Sequence, residues 1–173
     1  MAAQTLYLMV GYPGSGKTTA SKIIEQQTNA VHLWADHERK KMFAKPTYSH
    51  EENLILYDRL NDLTDQLLGQ GKSIIYDTSF NFYQDRQKLR AIANKHNVEC
   101  VLIWVVTPKH VARERATQNA HKQHTRVLGD FSVENFERMA DKLEPPRPEE
   151  HAIELDGTNL HRDAVLNALQ NTI

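Results

Sequence analysis

Short apolar runs alternate with helical patterns along the whole chain. Leu6–Val10, Val31–Trp34, Ser73–Tyr76, Cys100–Val106 and Ala152–Leu155 are near-continuous in apolar character, the mark of strands covered on both faces. Between them apolar residues recur at helical spacing. Leu56, Leu60, Leu63 and Leu67 follow i, i+4, i+7, i+11, and Gly69 and Gly71 end that pattern. A helical stretch from Thr18 to about Glu25 follows the first run, and Leu89, Ile92, Ala93 and His96 mark another. Thr107-Pro108 opens a helix after the fourth run, with proline in its first turn. Ser132 caps one whose apolar face is Val133, Phe136, Met139, Ala140 and Leu143, and a last helix spans about Leu160 to Leu169. Strands joined by helical crossovers predict an α/β fold: a five-stranded parallel sheet with helices on both faces. In such sheets ligands bind at the carboxyl ends of the strands, so the residues just after each strand are the ones to inspect.

Composition narrows this picture in two ways. At 173 residues the chain is expected to form one domain, 1–173, and its net charge of −1 gives no global pull toward nucleic acid or membranes. The single cysteine, Cys100, reads as a buried strand residue and allows no internal disulfide, which fits a reducing compartment. The N-terminus carries no basic region ahead of an apolar core, and no apolar run reaches membrane-spanning length. A soluble, cytoplasmic protein is the expectation. No internal repeat or low-complexity tract interrupts the pattern.

The first strand runs into GYPGSGKT at residues 11–18, which satisfies G-x-x-x-x-G-K-[ST] between a strand and a helix. Glycine-rich backbone turns several N–H groups toward one point, and the new helix adds its positive dipole end, so Gly11, Gly14, Ser15, Gly16, Lys17, Thr18 and Thr19 form a phosphate cradle. Lys17 supplies a point charge for the outer phosphates and Thr18 an oxygen for Mg²⁺. The fold class is therefore that of a P-loop NTPase, with ATP and Mg²⁺ the implied cofactors.

Each remaining strand end adds a candidate. Asp36 and Arg39 follow the second strand three residues apart and share a face of the starting helix. Asp36 is placed to accept a proton from an attacking hydroxyl; Arg39 is placed to hold an acceptor phosphate or to orient that carboxylate. Asp77 closes the third strand, the place for a carboxylate on the Mg²⁺ side. Motor ATPases follow this Asp with a water-activating Glu, whereas Thr78 follows here, which favours transfer to a bound acceptor over hydrolysis. The segment Thr107–Arg126 carries Lys109, Arg113, Arg115, Lys122 and Arg126 against Glu114. It reads as a mobile cationic lid over about 109–130, with Arg115 and Arg126 preferred over Arg113 as the arginines that meet transition-state charge. His110, His121 and His124 in that lid have no metal-ligand spacing and read as polar lid residues. After the fifth strand, Glu154–Thr158 is either an adenine cradle or a plain strand-to-helix turn.

Together, GYPGSGKT at 11–18, the D-x-x-R of Asp36 and Arg39, and the D-T-x-x-N of Asp77, Thr78 and Asn81 resemble the polynucleotide-kinase-like P-loop kinases. That group includes 5′-hydroxyl polynucleotide kinases, gluconate kinase and chloramphenicol phosphotransferase, and overlaps chains described as AAA-type ATP-binding proteins. The resemblance covers roughly residues 5–158. It implies an ATP-dependent phosphotransferase in which Asp36 is the general base, Arg39 contacts an acceptor-side phosphate and Arg115 stands where the lid begins. The lid departs from the polynucleotide kinase pattern: Arg126-Val-Leu-Gly, Phe136 and Leu143-Glu-Pro-Pro146 look more like small-metabolite kinases. The expected partners are ATP and a hydroxyl-bearing acceptor, either a nucleic-acid 5′ end or a small metabolite, with no membrane. Arg39-Lys-Lys41, continued by Lys45, adds a basic stretch beside the acceptor side. A nucleotide-dependent switch that binds a partner protein through its lid and the 36–50 segment is the alternative to an enzyme.

Overall fold

The computed structural model describes residues 3–78, 82–118 and 131–170. Its strands are β1 (Thr5–Val10), β2 (Val31–Trp34), β3 (Ile74–Asp77), β4 (Glu99–Val106) and β5 (Ile153–Asp156). They pair in parallel as one five-stranded sheet in the order β2-β3-β1-β4-β5. Its helices are α1 (Lys17–Thr28), α2 (Ala35–Met42), α3 (His50–Gly69), α4 (Tyr83–Lys95), α5 (Lys109–Thr117), α6 (Val133–Asp141) and α7 (Arg162–Gln170).

The two-residue alternation of β1 splits the interior in two. Leu6, Leu8 and Val10 face a cluster with Leu33, Leu56, Leu60, Ile74 and Tyr76, under α3 and α4. Tyr7 and Met9 face the other way, onto Ala20 and Ile24 of α1, Ile75, Ile103 and Val165 of α7. Every residue of β1 is buried, as a central parallel strand requires. A third cluster joins α5 to α6 through Ala112, Ala116, Phe131, Phe136 and Ala140, with Tyr12 of the glycine loop packed against it. The root of the expected lid is thus tied to the phosphate loop by apolar contact.

The sequence expectation of the sheet holds, with differences at element ends. β3 and β5 start one residue later than read and end on Asp77 and Asp156. α1 continues to Thr28 and is closed by Asn29, whose φ of 55° is the left-handed conformation asparagine tolerates. α3 begins at His50, a turn and a half before its leucine repeat. Ser49 caps it by accepting from Glu52 N at 3.2 Å, and the first turns expose Leu54 and Ile55, which hid the start from a periodicity argument. Ser132 caps α6 as expected, accepting from Asn135 N at 3.1 Å. Cys100 is half-buried rather than fully enclosed, and burial pushes its thiol up to about 11. Among the described residues no helix is long and apolar enough to cross a membrane.

Among the described residues, two buried arginine–glutamate pairs fasten segments outside the sheet. Arg86 of α4 grips Glu150 with two bonds of 2.8 and 2.7 Å, pinning the 3₁₀ turn Pro148–Glu150. Burial raises Glu150, but bonds from Arg86 and from the Arg147 backbone outweigh it and hold the carboxyl below its ordinary value. The other pair, Arg39 with Glu52, lies beside the cleft described next.

Candidate active site

The carboxyl ends of β1, β2 and β3 are level. In the parallel register Asp77 stands opposite both Met9 and Trp34. Three strand ends and the loop after β5 therefore open into one cleft of about 580 Å³. Gly14, Gly16, Lys17, Thr18 and Thr19 form one wall, Trp34, Asp36, Asp77 and Thr78 another, and Arg115, Gly157, Thr158 and Leu160 a third.

The glycine loop is built as phosphate binding demands. Gly16, the N-cap of α1, sits at φ 109°, and a Cβ there would overlap the Leu160 side chain. Ser15 is fully buried. Lys17 is 5 % exposed, and its Nζ donates to Gly11 O at 2.8 Å and Tyr12 O at 2.7 Å. Two of its contacts are thus backbone carbonyls of the loop itself. Gly157 presses on the loop from the β5 side; a Cβ there would overlap Thr107 Oγ1 and Ser15 O. Thr107 Oγ1 in turn donates to Ser15 O at 2.8 Å, tying the end of β4 to the phosphate loop.

The turn after β5 belongs to the cleft, which the sequence left open. Asp156 accepts from Thr158 N at 2.8 Å and Thr158 Oγ1 at 2.6 Å, and these bonds hold its carboxyl below the ordinary value. Arg115 Nη1 donates to Gly157 O at 2.8 Å, so the arginine reaches across from α5 to this turn.

The predicted site residues sort unevenly. Gly14, Gly16, Lys17, Thr18, Thr19, Asp36, Asp77 and Arg115 share the cleft wall; Gly11 and Ser15 support the loop behind it. Arg126 and Asn81, with residues 119–130 of the expected lid, lie outside the described residues. Arg39, expected at the acceptor side, is not among the residues that line the cleft. It is 3 % exposed, and Nη1 pairs with Glu52 Oε1 while Nη2 donates to Asn53 Oδ1 at 2.6 Å. The Tyr48 ring lies 4.6 Å from the guanidinium. Glu52 also accepts from Thr47 N at 2.7 Å and Thr47 Oγ1 at 2.9 Å. Burial raises this carboxyl, yet the bonds from Thr47 and Arg39 overcome it and hold it below its ordinary value. Arg39 therefore bolts α2 to the start of α3.

Two site residues escaped the sequence reading. His32 Nε2 lies 3.0 Å from Asp77 Oδ2, with both side chains nearly buried. Tyr57 shares a 2.6 Å hydrogen bond with Thr78 Oγ1, and burial pushes its phenol up. Strand alternation could have found His32, since residues 32 and 34 must share a face. Nothing local announces Tyr57, which comes from the middle of α3.

Thr18 and Asp77 offer a hydroxyl and a carboxylate, hard oxygen donors that suit Mg²⁺ when phosphate oxygens and water complete the shell. The residues present fit that ion.

Solved structures with the same fold include a protein of Chloroflexus aurantiacus provisionally described as a kinase, with TM-score 0.75 and 18 % identity over 99 % of both chains. A gluconokinase of Sinorhizobium meliloti matches with TM-score 0.66 and 17 % identity over 97 % of this chain and 90 % of its own. The Pnkp1/Rnl/Hen1 RNA repair complex contains a chain matching with TM-score 0.60 and 19 % identity, over 83 % of this chain and 45 % of that one. No curated protein sequence matches. The AAA domain family model aligns with residues 6–146, spanning the glycine loop, Asp36, Asp77 and Arg115, so the chain belongs to this family of P-loop kinase-like proteins.

Proposed function

We propose that the chain moves the γ-phosphate of ATP to a hydroxyl of an acceptor bound beside Asp36. The observation that carries this reading is the shared cleft: the phosphate loop and the carboxylates of Asp36 and Asp77 line one space. The backbone N–H groups of residues 14–18 hold the phosphates, with Lys17 leaving its two carbonyls for the outer phosphate oxygens. Thr18 and Asp77 would hold Mg²⁺, which neutralises charge on the phosphates. Asp36 takes the proton of the acceptor hydroxyl as its oxygen bonds to the γ-phosphorus; the bond from that phosphorus to the β,γ-bridging oxygen breaks, and ADP leaves. Arg115, joined by Arg126, spreads the charge of the transferring group. The Gly157–Leu160 turn, which Arg115 holds through Gly157 O, receives the adenine.

Arg39 favours a small-metabolite acceptor over a nucleic-acid 5′ end. The guanidinium that would meet an acceptor phosphate is engaged with Glu52, and Lys41 of the same basic stretch pairs with Glu38 at 2.8 Å. Transfer of labelled γ-phosphate to parallel panels of 5′-hydroxyl oligonucleotides and of sugars, sugar acids and polyols tests this. We expect transfer to at least one small hydroxyl compound, abolished by Lys17→Ala, and none to oligonucleotides above that control. Transfer to oligonucleotides alone would reverse the acceptor assignment. ATP binding without transfer to either panel would favour a nucleotide-dependent switch.

A further inference from the structure

The mechanism above uses Asp77 but leaves unused the histidine that touches it. β2 and β3 run in register with His32 opposite Ile75 and Trp34 opposite Asp77, so the imidazole reaches the carboxylate diagonally along the covered face of the sheet. His32 Nε2 lies 3.0 Å from Asp77 Oδ2, and the two side chains are 7 % and 3 % exposed. On its other side, His32 Nδ1 lies 3.6 Å from Glu25 Oε2 of α1. The imidazole is also stacked on Trp34, with centroids 5.8 Å apart and planes 9° from parallel. A ring hydrogen-bonded to a carboxylate at Nε2 and stacked on an indole has one orientation.

The same helix brings a further unexplained group. Thr18, Ser21 and Glu25 follow i, i+3, i+7 and share one face of α1, which packs on β2 and β3. Ser21 Oγ is fully buried and finds no hydrogen-bond partner among the described residues. The polar column from Thr18 to Glu25 therefore runs beside the His32–Asp77 contact through an otherwise apolar packing layer.

We infer that His32 is a positioning residue for Asp77. A carboxylate oxygen only accepts, so the contact needs the proton on Nε2, and that N–H holds Oδ2 against the sheet and leaves Oδ1 for the cleft. Fixing one oxygen sets the rotation of the carboxylate, and with it the direction from which a divalent cation is bound. Partners that orient a metal-binding group in this way change cation affinity by about 10–100-fold when removed. Glu25, 3.6 Å from Nδ1 and beyond hydrogen-bond distance, matters less. This inference rests on the reading of Asp77 as the cation-side carboxylate, and the test separates the two.

Mn²⁺ binding to the complex of the protein with a non-hydrolysable ATP analogue, followed by the loss of free-ion electron paramagnetic resonance signal, reads cation affinity without turnover. Asp77→Asn is the reference variant. His32→Ala is expected to weaken Mn²⁺ binding by about 10–100-fold, with affinity for the metal-free analogue unchanged. His32→Gln, whose side-chain amide offers an N–H near the Nε2 position, is expected to recover most of that loss, and it serves alone if His32→Ala fails to fold. Glu25→Gln should change affinity less than His32→Ala. Wild-type Mn²⁺ affinity in His32→Ala beside a weakened Asp77→Asn would overturn the positioning role alone. So would a His32→Gln variant that folds and binds Mn²⁺ no better than Asp77→Asn. Undiminished affinity in Asp77→Asn would overturn both the role of His32 and the cation-side reading of Asp77.

Discussion

Lys17 and Arg39 are cations on the helices that follow β1 and β2, the strands on either side of β3, and they are held in opposite ways. Lys17 rests on the neutral carbonyls of Gly11 and Tyr12, inside the cleft. Arg39 rests on the carboxylate of Glu52 and the amide of Asn53, outside it. A carbonyl dipole gives up a cation readily when a phosphate oxygen arrives. A buried carboxylate does not, because its own charge would be stranded in a poorly solvated place. The helix α1 end is thus arranged to transfer its cation to a ligand, and the α2 end to keep its cation for the fold.

This contrast breaks first at Arg39. Arg39→Ala strands Glu52 and should cost about 3–5 kcal/mol of stability, lowering Tm by roughly 6–20 °C for a chain of this size. Arg39→Met with Glu52→Met should recover more than half of that in thermal melts. A melt for Arg39→Ala within 2 °C of wild type, roughly 0.5–1 kcal/mol, would mean the pair is not structural. The mirror experiment is Lys17→Ala. It should lower phosphoryl transfer by about 10²–10³-fold while losing less stability than Arg39→Ala; the reverse ranking in melts and turnover would dissolve the distinction.

A smaller effect sharpens the picture behind the cleft. Tyr57→Phe removes the 2.6 Å bond to Thr78 and should cost about 0.5–1.5 kcal/mol in denaturant unfolding. Acid should then report the paired carboxylates. Glu52 and Glu150 sit below the ordinary value of 4.5, so the unfolded chain binds more protons just below that pH. The stability these carboxylates provide is complete above about pH 4.5 and is lost as pH falls through their folded values. Unfolding midpoints measured from pH 6 to pH 3 should show Glu52→Gln less stable at pH 6 and less acid-sensitive below the ordinary carboxylate value.

The difference between the two cations also marks what a sequence can reveal. The glycine loop was legible because its chemistry is local: a strand, a cradle and a helix start are contiguous in residues 5–28. The sheet was legible for the same reason, since each strand is a short apolar run. Arg39 was legible only in part: helical spacing placed it with Asp36 but could not say what lies opposite. Its partner comes from another helix, 13 residues away, whose capped polar first turn carries no apolar period. His32 was legible in principle through strand alternation, but its meaning depends on β2 lying beside β3, which no motif states. Tyr57 reaches Thr78 across 21 residues and had no signal at all.

The central claim is that Asp36 serves chemistry in a cleft whose phosphate half works without it. Parallel measurement of ATP affinity and single-turnover γ-phosphate transfer in Asp36→Asn tests this most directly, using an acceptor found in the panel. The account predicts ATP affinity within about twofold of wild type and transfer slowed by about 10²–10⁴-fold. Transfer at the wild-type rate, or a loss of ATP affinity equal to the loss of transfer, would contradict it.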